Sequence, residues 1–266
     1  MYELPLNTMN RNMMKCKLVL FLFVIVLHLH CFAATWQFTY TREAYQKYNR
    51  ADVVLVASPG RSGSTFLADQ LQEKVTPQYL VVKSHLLPPD HSFIGKILFI
   101  FSNPDVAAES ALKRVLASKA FAIDHVNHVE SVDWKWVEKL GGLYNIDIAN
   151  NILSYDVLGC TLQLTEWLHN KTIPCTKDKA TILAIKYEHL WDADTIKAIN
   201  EFLGLEHFSL SAYRHRVHNF NEDLPLEKEI RLVYNLGTIS DPKYKAYDDA
   251  RSMWENAPPF QYLKIL

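Results

Sequence analysis

The chain reads as an α/β protein in which a central parallel sheet is flanked by helices, with one N-terminal transmembrane or signal segment ahead of it. Three observations predict this class. Four short runs are apolar on both faces and so read as buried strands: DVVLVAS (52–58), YLVVKS (79–84), KILFIFS (96–102) and TILAIKYE (181–188). Segments of helical periodicity alternate with them, and that alternation puts helices over both faces of a parallel sheet. Ahead of all of them, LVLFLFVIVLHLHCFAA (18–34) is an unbroken apolar stretch with no amphipathic face.

That stretch is close to the lower limit of ~17 residues for a spanning helix. Arg11, Lys15 and Lys17 precede it, and positive charge there keeps the N-terminus cytosolic and sends the remainder across a membrane. Two readings stay open: an uncleaved anchor, or a signal peptide cut near Ala33 or Ala34. Either places the body in the secretory pathway, as a single-pass protein with a lumenal C-terminal domain or as a secreted one. The expected organisation is a cytosolic segment (1–17), the anchor or signal peptide (18–34), a stem (35–50) and one domain (51–266).

Within that domain, STFLADQLQEK (64–74) places Leu67, Leu71 and Val75 four apart, on one helical face. The third strand runs into a helix opening at Asn103-Pro104-Asp105, where a proline and an acid suit the first turn. Further helices are expected at about 132–140 and 147–169. DADTIKAINEFLG (192–204) has an acidic start and a glycine stop. The tail beyond about residue 205, rich in Tyr, Pro and charge, is expected to wrap over the sheet rather than form a second domain.

Composition removes whole classes of function. Of 266 residues, 49% are apolar and 21% charged, which excludes a disordered chain and allows a core that needs no staples. Lys plus Arg number 28 against 29 Asp plus Glu, so no chain-wide basic field exists to grip nucleic acid, and any anion must be held locally. The adjacent pair Asp124-His125 with His128 has metal-compatible spacing, but no third position offers a ligand, so no metal site is expected.

The chemistry is expected beyond the carboxyl ends of the strands, where ligands of open parallel sheets bind. The first strand ends in Ser58-Pro59-Gly60-Arg61-Ser62-Gly63-Ser64-Thr65. Its glycines let the backbone turn tightly and aim N–H groups at one point ahead of the helix. Arg61 adds a forked cation, and Ser62, Ser64 and Thr65 add hydroxyls, which together describe a phosphate cradle. The plainer alternative is a Ser/Gly-rich turn. It is not a Walker sequence, since no Lys precedes Ser64.

SPGRSGSTFL resembles the 5'-phosphosulfate loop of the sulfotransferases, particularly the Golgi carbohydrate type. VVKSHL (81–86) is similar to that family's Lys-Thr-His-Leu strand end, and ILFIFSNPDVAAES (97–110) to its 3'-phosphate segment, Arg-Asn-Pro-x-Asp-x-x-x-Ser. AIKYEHLWDADTIKAINEFLG (184–204) resembles its Tyr-Glu-Asp-Leu strand and the helix that follows. Four such segments in order cover about 52–204. The resemblance implies a P-loop-type three-layer fold, a Golgi or other secretory-pathway membrane, and 3'-phosphoadenosine 5'-phosphosulfate (PAPS) as co-substrate, with no tightly bound cofactor. A sulfuryl group would pass to a hydroxyl or amine of a carbohydrate or similar small acceptor.

By the same resemblance, Arg61 contacts the 5'-phosphate and the bridging oxygen, Lys83 helps neutralise the donor, and His85 is the general base, a task that suits an imidazole. Pro59, Gly60, Ser62, Gly63, Ser64 and Thr65 complete the cradle, with Ser102 and Ser110 at the two 3'-phosphate positions. The family places Arg where this chain has Ser102, and Lys113, Arg114, Arg214 or Arg216 are the candidates to compensate. The acceptor is expected against 119–145 and the aromatic tail, with one of Trp134 and Trp136 exposed for sugar stacking. A P-loop kinase using ATP is disfavoured by the missing Walker lysine and by the lack of an acidic Mg²⁺ ligand after the third strand. A catalytically inactive sulfotransferase-like lumenal binding protein is kept open by Ser102.

The compartment bears on the cysteines. Cys16 lies on the cytosolic side and Cys31 at the edge of the apolar run, which leaves Cys160 and Cys175 as the pair in the oxidising lumen. They are expected to be bonded, stabilising by about 3 kcal/mol in the chain-entropy model; two unpaired thiols are the alternative. Asn170-Lys171-Thr172, between them, is an N-glycosylation acceptor if exposed.

Overall fold

Among the described residues seven strands form one sheet: β1 (Gln37–Thr39), β2 (Val53–Ala57), β3 (Leu80–Ser84), β4 (Lys96–Phe101), β5 (Thr172–Pro174), β6 (Ile182–Lys186) and β7 (Phe260–Ile265), in the spatial order β1-β3-β2-β4-β6-β7-β5. The computed structural model describes residues 36–39, 41–75, 78–117, 130, 153–211 and 243–266, leaving aside the side chains of 113–117. β1, β3, β2, β4 and β6 are parallel neighbours, while β7 runs antiparallel to β6 and β5. Every residue of β2 and β6 is buried, as strands covered on both faces must be.

Helices cover both faces. On one lie α2 (Ser64–Val75) and α5 (Ala193–Leu203), whose Leu67, Leu71, Ile199 and Phe202 pack on Val54, Val56, Leu98 and Ile185. The four-residue spacing read from the sequence is this buried stripe, and each such side chain contributes about 1.5–3 kcal/mol by leaving water. The other face carries α1 (Arg42–Tyr48), α3 (Pro104–Ala117), α4 (Cys160–Thr165) and α6 (Asp248–Asn256), packed on Leu55, Phe99, Phe101 and Ala184. α4 continues as a π-helical turn through Glu166–Asn170, and Trp167 stacks on Phe99 with centroids 4.8 Å apart. α5 ends on Gly204 at φ 69°, the left-handed stop its sequence announces.

Several expectations change. The segment 35–50 is not a stem: β1 and α1 belong to the folded unit Trp36–Leu266, and Tyr45 and Tyr48 are buried in its core. The tail does not merely wrap over the sheet, because β7 inserts between β6 and β5 and makes the sheet only mostly parallel. The helix expected over 147–169 is described only from Cys160, after a turn at 153–159 in which Gly159 takes φ 63°. Cys160 and Cys175 are free thiols. Cys160 lies in the core on the α4 face and Cys175 packs on the core of the α2 face, so the sheet separates them and the expected disulfide is absent. Asn170 is exposed, with its Nδ2 on Glu166 Oε1 at 2.8 Å.

The apolar run 18–34, the metal-like trio Asp124, His125 and His128, Trp134, Trp136, Arg214 and Arg216 lie outside the described residues. Among the described residues no helix is long and apolar enough to cross a membrane.

Candidate functional site

The chain direction reverses sides at β2 and β4: β2 leads through α2 to β3 on one side, while β4 leads toward β6 on the other. A crevice opens at the carboxyl ends of such a strand pair. Residues 58–63 fill it on the β2 side and Ser102 on the β4 side, and the two meet where Ser102 Oγ donates to Ser62 Oγ at 3.2 Å.

The loop is wound unusually. Gly60, Arg61 and Gly63 have φ of 90°, 55° and 78°, and Arg61 is the only non-glycine residue with positive φ among the described residues. An arginine held there costs on the order of 1 kcal/mol, the kind of local strain that clusters at binding sites. Gly63 is also obligatory for space, because a Cβ would overlap the Tyr187 ring. Ser62 Oγ donates to Gly60 O at 3.0 Å, and Ser58 Oγ accepts from Gly60 N at 3.3 Å while donating to Ser64 Oγ at 2.9 Å. These bonds fix the turn, and α2 then starts with no acid in its first turn, which suits an anion at its positive end.

Two cations flank the loop. Arg61 sends Nε and NH2 to Ser110 Oγ at 3.1 and 2.7 Å, reaching across to α3. Lys83 donates from Nζ to Thr65 Oγ1 at 2.8 Å. Lys83 is only 8% exposed, and burial first, then the Arg61 charge, push its pKa down to about 8, with Asp69 pulling the other way. Both cations thus meet hydroxyl groups here, and an incoming anion can replace a hydroxyl as a partner at little cost.

His85 follows β3 and turns its ring to the loop. Its Nδ1 lies 2.9 Å from Ser58 O and 3.1 Å from Ser58 Oγ. A carbonyl oxygen only accepts, so Nδ1 carries the proton and the lone pair belongs to Nε2, the tautomer a general base needs. The imidazole is buried, 1% exposed, with Phe38 against it edge-on at 5.4 Å.

The structure therefore gathers Arg61, Lys83, His85, Ser58, Ser62, Ser64, Thr65, Ser102 and Ser110 around one loop, with Pro59, Gly60 and Gly63 as its backbone. Arg214, the distal candidate, lies outside the described residues. Lys186, next to the end of β4 through the pair Phe101↔Lys186, is a further buried cation, but its Nζ lies over the Trp254 ring and 3.4 Å from Glu255 O. Sequence reasoning missed the groups that hold His85 in place. Gln163 Nε2 donates to His85 O at 2.8 Å, Trp167 Nε1 to Leu86 O at 3.2 Å, and Leu87 N donates to Glu130 Oε2 at 2.8 Å. Glu130 is itself paired with Arg42. Only the four-residue spacing of Gln163 and Trp167 could have hinted that one helix face serves this strand exit.

No family model matches the chain, and a search of curated proteins finds no match either.

Proposed function

We propose that the chain is a sulfotransferase with a P-loop-type fold, moving a sulfuryl group from PAPS to a hydroxyl or amine of a carbohydrate or similar acceptor. The observation that carries this reading is the convergence on the loop 58–65 of two stretches distant in sequence, 83–85 and 102–110, which brings two cations and an oriented imidazole together.

In this reading the 5'-phosphate of the donor lies at the start of α2, and the second phosphate lies toward Ser110 and Ser102. The acceptor oxygen forms the new S–O bond as the bond from sulfur to the phosphate oxygen breaks in line. The acceptor proton goes to His85 Nε2, and 3'-phosphoadenosine 5'-phosphate leaves with its charge met by Arg61 and Lys83. Such transfer needs positioning and charge stabilisation more than covalent help from the protein. Sequence alone motivates the secretory compartment, the membrane anchor and a lumenal domain, which stay part of the proposal.

A second reading, a nucleotide-binding protein that transfers nothing, draws on two observations. Ser102 offers a hydroxyl where a cation would grip a phosphate better, and His85 is buried. The deciding experiment incubates the purified full chain with PAPS and a panel of glycan hydroxyl and amine acceptors, following acceptor mass and nucleotide product together. Sulfated acceptor formed in step with 3'-phosphoadenosine 5'-phosphate supports transfer. Tight nucleotide binding with no sulfated acceptor across the panel supports the second reading.

A further inference from the structure

We propose that Trp36 and Phe38, two apart at β1, are positioning residues of this site: they wall Lys83 off from water beside Thr65, and Phe38 stands against both Lys83 and His85. Lys83 Nζ lies 5.4 Å from the Trp36 ring centroid and 5.1 Å from that of Phe38. The strand pairing sets this contact, since Phe38 is in register with Lys83 and side chains of paired residues share a face. Phe38 then reaches the His85 imidazole, with ring centroids 5.4 Å apart. Trp36 is fixed from behind by its Nε1–H, which donates to Asp69 Oδ1 at 2.7 Å.

The charged groups acting on Lys83 are Arg61 from the loop and Asp69 from α2, with opposite effects; Trp36 and Phe38 turn their rings to it, and Trp36 also binds Asp69. Burial is the largest influence and lowers the pKa to about 8. A ring face also attracts the ammonium, so the wall holds it in place as well as drying it. A lysine poised near neutrality can be charged when an anion arrives and still exchange its proton. The role in turnover rests on the proposed transfer, whereas the titration of Lys83 does not.

The test is competitive acetylation of the full chain across neutral to alkaline pH, read lysine by lysine by mass spectrometry. In the parent, Lys83 should titrate well below the ordinary lysine range. Phe38→Ala should admit water and move Lys83 up by about one pH unit or more, whereas Phe38→Leu, which keeps the wall apolar, should leave it low. Circular dichroism and thermal melting of each variant establish folding. Lys83 titrating in the ordinary range in the parent overturns the proposal whether or not any variant folds. So does a folded Phe38→Ala with Lys83 unmoved. If sulfuryl transfer is detected, Phe38→Ala should also shift its pH profile upward on the alkaline side. A shifted Lys83 with no transfer keeps the wall and removes the transfer reading, so the two fail separately.

Discussion

Of the helices that start at the carboxyl edge of the sheet, α2 after β2 and α3 after β4 are finished in opposite ways. At α3 the protein supplies the acceptors itself. Asn103 Oδ1 accepts from Asp105 N at 2.9 Å, Glu188 Oε1 accepts from Asn103 N at 2.8 Å, and Asp105 sits in the first turn. At α2 the first turn holds no acid, and its loop is wound through left-handed residues with Arg61 and Lys83 close by. The cations differ in the same sense. Arg251 of α6 grips buried Asp105 through Nε and NH2 at 2.6 and 2.9 Å, and that carboxylate, helped by Asp248 and opposed by desolvation, leaves the Arg251 pKa raised. Arg61 and Lys83 meet serine and threonine hydroxyls. Arg251 on its buried carboxylate holds the fold, whereas the contacts of Arg61 with Ser110 and of Lys83 with Thr65 can turn to a ligand.

Substitutions can break that comparison. The largest effect is expected at His85: His85→Ala should lower turnover by about 10²–10⁴-fold and leave nucleotide binding nearly unchanged. Calorimetry beside kinetics separates the two, and near-parental turnover would move the base elsewhere. Next come Asp105→Ala and Arg61→Ala, which should fail in opposite ways. Asp105→Ala leaves Arg251 without its buried partner and should cost about 3–5 kcal/mol of stability, with nucleotide affinity of the folded fraction retained. Arg61→Ala should weaken binding of 3'-phosphoadenosine 5'-phosphate by about 10–100-fold and cost less stability than Asp105→Ala. If both variants lost stability alike, the division between locking and serving cations would be wrong.

A smaller effect concerns Lys83 and pH. Its folded value of about 8 lies below the ordinary 10.5, so between those values the unfolded chain binds more protons than the folded one. Stability should therefore rise with pH across that window, by about 3 kcal/mol at most. Lys83→Met should flatten this rise relative to the parent in denaturant titrations at pH 8 and pH 10; parallel curves would mean that Lys83 is not dehydrated. The smallest change is a gain: Ser102→Arg should tighten a 3'-phosphorylated nucleotide by about 10-fold and leave a nucleotide without that phosphate unaffected. Equal changes for both nucleotides would place the end of β4 away from the second phosphate.

The comparison also shows what a sequence displays. β2, β3, β4 and β6 were legible because each is buried on both faces and needs an apolar run. The loop 58–65 was legible because its glycines and hydroxyls are contiguous. β1 and β5 have three residues each and lie at the sheet edges, too short for a pattern to emerge. β7 is partly buried along most of its length and so reads as mixed. Asp105 and Arg251, 146 residues apart, carry no signal that they meet. Overlooking β1 also hid the aromatic wall that Trp36 and Phe38 set around Lys83. The cysteines misled because a short separation in sequence spans the thickness of the sheet.

The central claim is that the start of α2 is built for the phosphates of a 3'-phosphorylated nucleotide, with Arg61 as a serving cation. Thermal shift of the full chain with 3'-phosphoadenosine 5'-phosphate, ADP and ATP, repeated on Arg61→Ala, tests it most directly. The account predicts the largest rise in melting temperature with 3'-phosphoadenosine 5'-phosphate, smaller rises with ADP and ATP, and loss of the difference in Arg61→Ala. A larger shift with ATP, or no shift with any of the three, would contradict it.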